Sequence, residues 1–113
     1  MILENGEKVH IIERRYFEKD LRRHFVGEII KCTDTAIRLK GYVWVYEINK
    51  GTFIKKPEKK ERVIYLGERL TINVLPQEVN IDEIKYEETP EGNLIVTDGK
   101  KFSLDINEFS GSR

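Results

Sequence analysis

Between His24 and Glu47 the chain reads HFVGEIIKCTDTAIRLKGYVWVYE. Val, Ile, Tyr, Phe and Trp dominate this stretch, and such side chains suit a pleated, half-buried surface. It reads as two long β-segments joined by the polar turn Thr33-Asp34-Thr35, with Gly27 set into the first and Gly41 into the second. Strand side chains alternate with a period of two. In the second segment Ile37, Leu39, Val43 and Val45 therefore share one face, while Arg38, Lys40, Tyr42, Trp44 and Tyr46 share the other. The first set, together with Ile29, is the expected core. The second runs from two cations into three aromatics, which is too much apolar surface to leave to solvent without a reason.

The rest of the chain continues in short strands. Val9–Phe17 and Leu21–Lys31 flank the polar break Glu18-Lys19-Asp20 and predict a hairpin. The spacing of Phe17, Leu21 and Phe25 also fits a short helical turn. Asn49-Lys50-Gly51 is a hairpin-type loop leading into Thr52–Ile54. Pro57 and the run Lys59-Lys60-Glu61 predict an exposed loop, since Pro cannot serve a central ladder. Arg62–Leu66 and Leu70–Leu75 flank the tight turn Gly67-Glu68-Arg69, and Pro76 ends the second strand. Val79, Ile81, Ile84 and Tyr86 extend the apolar pattern. Leu94–Thr97 and Lys101–Ile106 then flank Asp98-Gly99, a two-residue signal for a type I′ hairpin with positive φ at both positions. No helix is predicted. Short strands punctuated by turns indicate a small all-β barrel or sandwich, and closure into a barrel removes exposed edges.

At 113 residues the chain makes one domain with a single modest core. No apolar run approaches the ~18–20 residues of a membrane-spanning helix, and the N-terminus carries no secretory pattern. Cys32 is the lone cysteine, so an intrachain disulfide is excluded and a reducing, cytoplasmic location is expected. Net charge is zero, but residues 1–66 carry 15 Lys+Arg against 10 Asp+Glu, and residues 67–113 carry 5 against 10. That asymmetry can steer an anionic partner or let subunits attract end to end. Solvated strand faces and loops are the preferred explanation.

From Val9 to Ile84 the chain resembles the Sm-like (LSm/Hfq) superfamily. Val9–Tyr16 looks like that family's first strand and Phe25-Val26-Gly27-Glu28-Ile29 like its glycine-bearing bent second strand. Thr33-Asp34-Thr35 is similar to its polar loop, and Ile37-Arg38-Leu39-Lys40 to its third strand. The resemblance implies a small, strongly bent barrel over residues 1–86, ring-like homo-oligomers and single-stranded RNA as a partner. Residues 87–109 add a C-terminal hairpin of the same domain, and residues 110–113 form a frayed tail. Two departures bear on RNA. Leu75-Pro76-Gln77-Glu78 stands where the family has an Arg-Gly or Tyr-Lys-His element, and the Thr33-Asp34-Thr35 loop lacks the asparagine or aromatic residue that the family has beside its Asp.

Catalysis has little to stand on. His10 and His24 lie in strand patterns without a nucleophile motif, and no spacing suits a metal or a cofactor. The expectation is a non-enzymatic binding or assembly module without cofactors. A structural small-barrel protein with no nucleic-acid role is the alternative. The stripe from Arg38 to Tyr46 has two readings. Aromatics can stack bases while cations meet phosphates, or the stripe is covered by the C-terminal hairpin (Leu94, Val96, Phe102, Leu104) or by another subunit. Coverage is the preferred reading. On the nucleic-acid reading the contacts are Thr33, Asp34 and Thr35 by resemblance, with Arg38, Lys40 and Trp44 on the stripe. Lys55, Lys56, Lys59 and Lys60 in the neighbouring loop complete that set.

Overall fold

A computed structural model of the protein describes residues 2–15, 17 and 22–106. They form β1 (Lys8–Glu13), β2 (Arg23–Cys32), β3 (Ala36–Glu47), β4 (Thr52–Lys55), β5 (Lys60–Tyr65), β6 (Leu70–Leu75), a 3₁₀ turn at Ile81–Glu83, β7 (Lys85–Glu88), β8 (Leu94–Thr97) and β9 (Ser103–Asp105). The protein is all-β, in two antiparallel sheets. The Glu18-Lys19-Asp20 break and residues 107–113 lie outside the described residues. The hairpin around that break is present, with His10 opposite Val26 and Ile12 opposite His24.

The first sheet runs β4–β3–β2–β1–β6, and β5 also pairs with β3. β4 and β5 share one edge of β3. Trp44–Glu47 pairs with β4, and Ala36–Gly41 pairs with β5. Pro57, which has no N–H to give a ladder, lies in the gap between them. Two devices bend the sheet. Gly27 faces Gly41 across the β2–β3 ladder. A Cβ on Gly27 would sit 2.6 Å from the Lys40 carbonyl oxygen, and one on Gly41 would collide with the Val26 carbonyl. Only glycine permits so close an approach. A few residues on, the register shifts between Ile29 and Lys31, a bulge that turns Ile30 outward and sharpens the twist.

The expected closed barrel does not form. β5 and β6 are joined by the tight turn at Gly67-Glu68-Arg69 but do not pair, because β6 takes the free edge of β1 instead. The C-terminal hairpin is also larger than expected. Tyr86 lies in β7, opposite Val96, so the second sheet is a three-stranded meander starting at Lys85. Its β8–β9 connection is not a two-residue type I′ turn. Among the described residues only glycines have positive φ, so Asp98 cannot supply the first position. The Asp98 carboxylate instead accepts hydrogen bonds from the backbone N–H groups of Lys100 (2.9 Å) and Phe102 (3.1 Å), which holds open a longer loop. Those bonds, that of Lys100 first, also lower the Asp98 pKa.

Both faces of the first sheet are buried over much of their area. The face enclosed by its curve packs Val9, Ile11, Phe25, Ile29, Ile37, Leu39 and Ile64, with Val43 and Cys32 beside them. The opposite face packs Val26, Trp44 and Phe53 against Leu94 and Val96 of the second sheet and Ile106 just beyond it, with Tyr46, Tyr86, Phe102 and Leu104 at the margin.

Candidate functional site

The stripe on β3 is divided by the second sheet. Its aromatic half is covered: Trp44 is 6% exposed and belongs to the intersheet core. A base has no access to that indole in this arrangement. Tyr46 is half-buried at the same seam, with its ring 5.3 Å from Phe53. Arg38 and Lys40, in the other half, are exposed.

The exposed half is not a bare cationic surface. Cross-strand register sets Lys40 between Glu28 on β2 and Glu61 on β5, and sets Arg38 between Lys31 and Val63. Lys40 thus has a carboxylate-bearing residue beside it on each neighbouring strand, of the kind that competes with phosphate. Thr33, Asp34 and Thr35 are exposed at the β2–β3 turn. There the Thr33 hydroxyl accepts the backbone N–H groups of Thr35 and Ala36, at 3.3 and 3.2 Å. Its role visible here is to close the turn. This turn stands at the end of β3 away from Lys55, so the structure does not gather all ten expected contacts into one site.

Lys55 and Lys59 do come together, around Tyr42. Lys55 Nζ lies 3.9 Å from the ring centroid and Lys59 Nζ 5.9 Å from it. The Tyr42 hydroxyl donates to Asp82 Oδ1 (2.7 Å), Lys59 pairs with the same carboxylate (3.1 Å), and Lys55 donates to the Asp82 carbonyl (3.1 Å). The Tyr42 bond, followed by Lys59, lowers the Asp82 pKa, and the same bond raises that of Tyr42. Lys60 pairs with Glu58 at 3.3 Å, and Lys56 is exposed. A groove of about 330 Å³ adjoins this cluster, lined by Lys8, Glu28, Lys40, Lys59 and Asp82 among others. Its charge is mixed.

Sequence reasoning passed over the most unusual constellation. His10 and His24 are 0% and 1% exposed, on neighbouring strands of the covered face. Tyr86 reaches across from the second sheet and places its hydroxyl 2.9 Å from His10 Nε2 and 2.7 Å from His24 Nδ1. Asn73 Nδ2 lies 3.4 Å from His10 Nδ1. Phe53 stacks on His24 at 4.2 Å and on Tyr86 at 5.0 Å. His24 Nε2 and Trp44 Nε1 are buried without a hydrogen-bond partner among the described residues. The sequence signal was faint: two histidines on one face of a hairpin, visible only once the β1–β2 register is known.

Among the described residues no group of three or more His, Cys, Asp or Glu side chains is placed to hold a metal ion. Nor is any helix among them long and apolar enough to cross a membrane. Compared with protein-family models, with curated proteins and with solved structures, the chain matches none.

Proposed function

We propose that this protein is a non-enzymatic assembly module that joins copies of itself, edge to edge, through β5 and β6. The observation that carries this reading is the composition of β6. Native edge strands are usually guarded by charge, proline or a bulge. β4, β5, β7 and β9 each carry at least one charged residue, whereas β6, Leu70-Thr71-Ile72-Asn73-Val74-Leu75, carries none. It pairs with β1 in unbroken register, and no strand covers its other side among the described residues. Val74 on β6 and Val63 and Tyr65 on β5 are exposed apolar side chains at the two open edges. Because the edges differ, β5 of one copy meets β6 of the next. Such a head-to-tail contact builds rings when it closes and filaments when it does not. The Sm-like resemblance and a cytoplasmic setting agree with this reading.

Light scattering of the pure protein tests it. The mass should be a multiple of 13.3 kDa, and Val74→Lys, which guards the edge with charge, should lower it to that of the monomer. A wild-type protein that stays monomeric over a wide concentration range would sink the proposal.

A second reading, single-stranded RNA as the ligand of the assembly, is favoured by one observation. Tyr42 is a partly accessible ring flanked by two lysine ammonium groups, a pairing suited to a stacked base and its phosphate. A titration with mixed single-stranded RNA at ~50 mM salt, where attraction is weakly screened, should then show binding that falls steeply with added salt. Replacing Lys55, Lys56, Lys59 and Lys60 by Ser should flatten that slope. A blank titration would leave assembly alone.

A further inference from the structure

We propose that the His10–Tyr86–His24 cluster is an acid-sensitive latch, whose protonation releases the C-terminal sheet and uncovers the aromatic face of Trp44, Tyr46 and Phe53 while the first sheet stays folded.

The geometry supplies the argument. A single phenol from the second sheet bonds two imidazoles of the first, and it has one proton to give. With Asn73 donating to His10 Nδ1, His10 carries its proton on Nε2 and donates it to Tyr86. Tyr86 in turn donates to His24 Nδ1. Every position from Asn73 to His24 Nδ1 is filled, while His24 Nε2 has no partner among the described residues. A second proton on His10 would face the Asn73 amide donor, and a proton on His24 Nδ1 would displace the Tyr86 hydroxyl hydrogen. Each protonation therefore costs a hydrogen bond as well as burying a charge.

Among the described residues, none of the groups against the two imidazoles offsets that charge. The groups in ring contact or hydrogen bonding with the two imidazoles are Asn73 from β6, Phe53 from β4 and Tyr86 from β7, and each imidazole touches the other. Trp44 lies opposite His24 on β3 and against the Tyr86 ring. None is a carboxylate. Burial lowers the His10 pKa from 6.5 to about 4. Burial first, and then the charge of His10, lower that of His24 to about 2. Both docked values lie below the free value of 6.5. The docked state thus keeps its full stability above that pH and loses it as pH falls, because the released state binds protons that the docked state excludes. The first sheet has its own apolar core on its other face, whose residues include no histidine and none from the second sheet.

Trp44, the only tryptophan in the chain, reports the event directly. In the full-length protein its emission should shift to the red in a cooperative step below pH 6.5, with uptake of about two protons. Amides of Ile29 and Leu39 should remain protected from exchange through that step, while the amide of Val96 loses protection. The double variant His24→Phe/Tyr86→Phe should halve the proton uptake and so roughly halve the steepness with which docking is lost per pH unit. If the double variant does not fold, the wild-type imidazole C2–H resonances decide. They should hold neutral positions until the Trp44 step and then jump together. An undiminished proton uptake in the variant, simultaneous loss of both sheets, or smooth titration of both imidazoles with Trp44 unmoved would each overturn the proposal.

Discussion

The two faces of the first sheet are both buried, but by different means. The enclosed face is aliphatic but for Phe25, and the sheet's own curvature covers it. The opposite face holds Trp44, Phe53, His10 and His24, and it needs a second sheet to cover it. Aliphatic contacts tolerate any pH, since burial of apolar area is their main source of stability. Hydrogen-bonded imidazoles do not. The contrast suggests a division of labour, in which one face specifies the fold and the other makes attachment of the C-terminal sheet conditional.

The largest expected effects lie at the centre of each face. Leu39→Ala on the enclosed side should cost about 2–5 kcal/mol and Trp44→Ala on the opposite side about 3–5 kcal/mol, through lost burial and a cavity. Urea unfolding followed by far-UV circular dichroism measures both. The comparison sharpens if the two substitutions differ in kind. Leu39→Ala should destabilise the whole molecule, whereas Trp44→Ala should leave an early transition confined to the second sheet. Identical single transitions would merge the two faces into one cooperative unit.

Acid is the next strongest lever. Folded-state pKa values below 6.5 at His10 and His24 leave stability flat above that value and falling below it. The slope should approach ~2.7 kcal/mol per pH unit while two protons are excluded. Tyr86 acts at the opposite end of the scale. Burial raises its pKa well above 10.0, so the unfolded phenol ionises first and stability declines as pH rises past that point. Chemical denaturation across pH gives both limbs. A profile flat down to pH 5 would remove the distinction between the faces.

The sequence made some of this legible. Alternation along β3 placed Ile37 and Leu39 in the core and Arg38 and Lys40 outside it, because period-two patterning is a local property. That Trp44 is covered was also readable, as a large aromatic surface requires a cover, but whether the C-terminal hairpin or another subunit covers it was not. What escaped depends on pairing at a distance. Nothing local shows that β6 joins β1 rather than β5. The bulge at Ile30 shifts the register by one residue without an obvious mark. Tyr86 lies 76 residues from His10 and 62 from His24, so their meeting depends on how the two sheets stack. For the same reason Lys40 read as a free cation, although register places Glu28 and Glu61 on either side of it.

Tyr86→Phe isolates the polar part of the intersheet contact. It keeps the ring and removes the hydroxyl, leaving buried His10 Nε2 and His24 Nδ1 without their shared partner. The expected cost is about 1–3 kcal/mol, with little loss of burial. Thermal unfolding at neutral pH reads it. A neutral result would show that the aromatic contacts alone hold the second sheet.

The smallest effects belong to the surface, where a second tyrosine network makes a control for the first. Tyr42 and Lys59 hold Asp82 and so tie the 3₁₀ turn before β7 to the first sheet, as Tyr86 ties β7 itself. Here water competes for every group and salt screens the charges. Asp82→Asn should therefore cost under ~1 kcal/mol, as should Arg38→Ala on the exposed half of β3. The signs in pH also differ. The depressed Asp82 pKa gives a contribution present above the carboxylate's unfolded value and lost only as pH falls below it, an onset well below the pH at which the histidines begin to act. Adding salt should shrink the Asp82→Asn effect and leave that of Tyr86→Phe unchanged, because a buried neutral hydrogen bond has no counterions to screen it. Equal salt dependence at the two sites would mean that solvent reaches Tyr86, and that the intersheet contact is looser than its geometry implies.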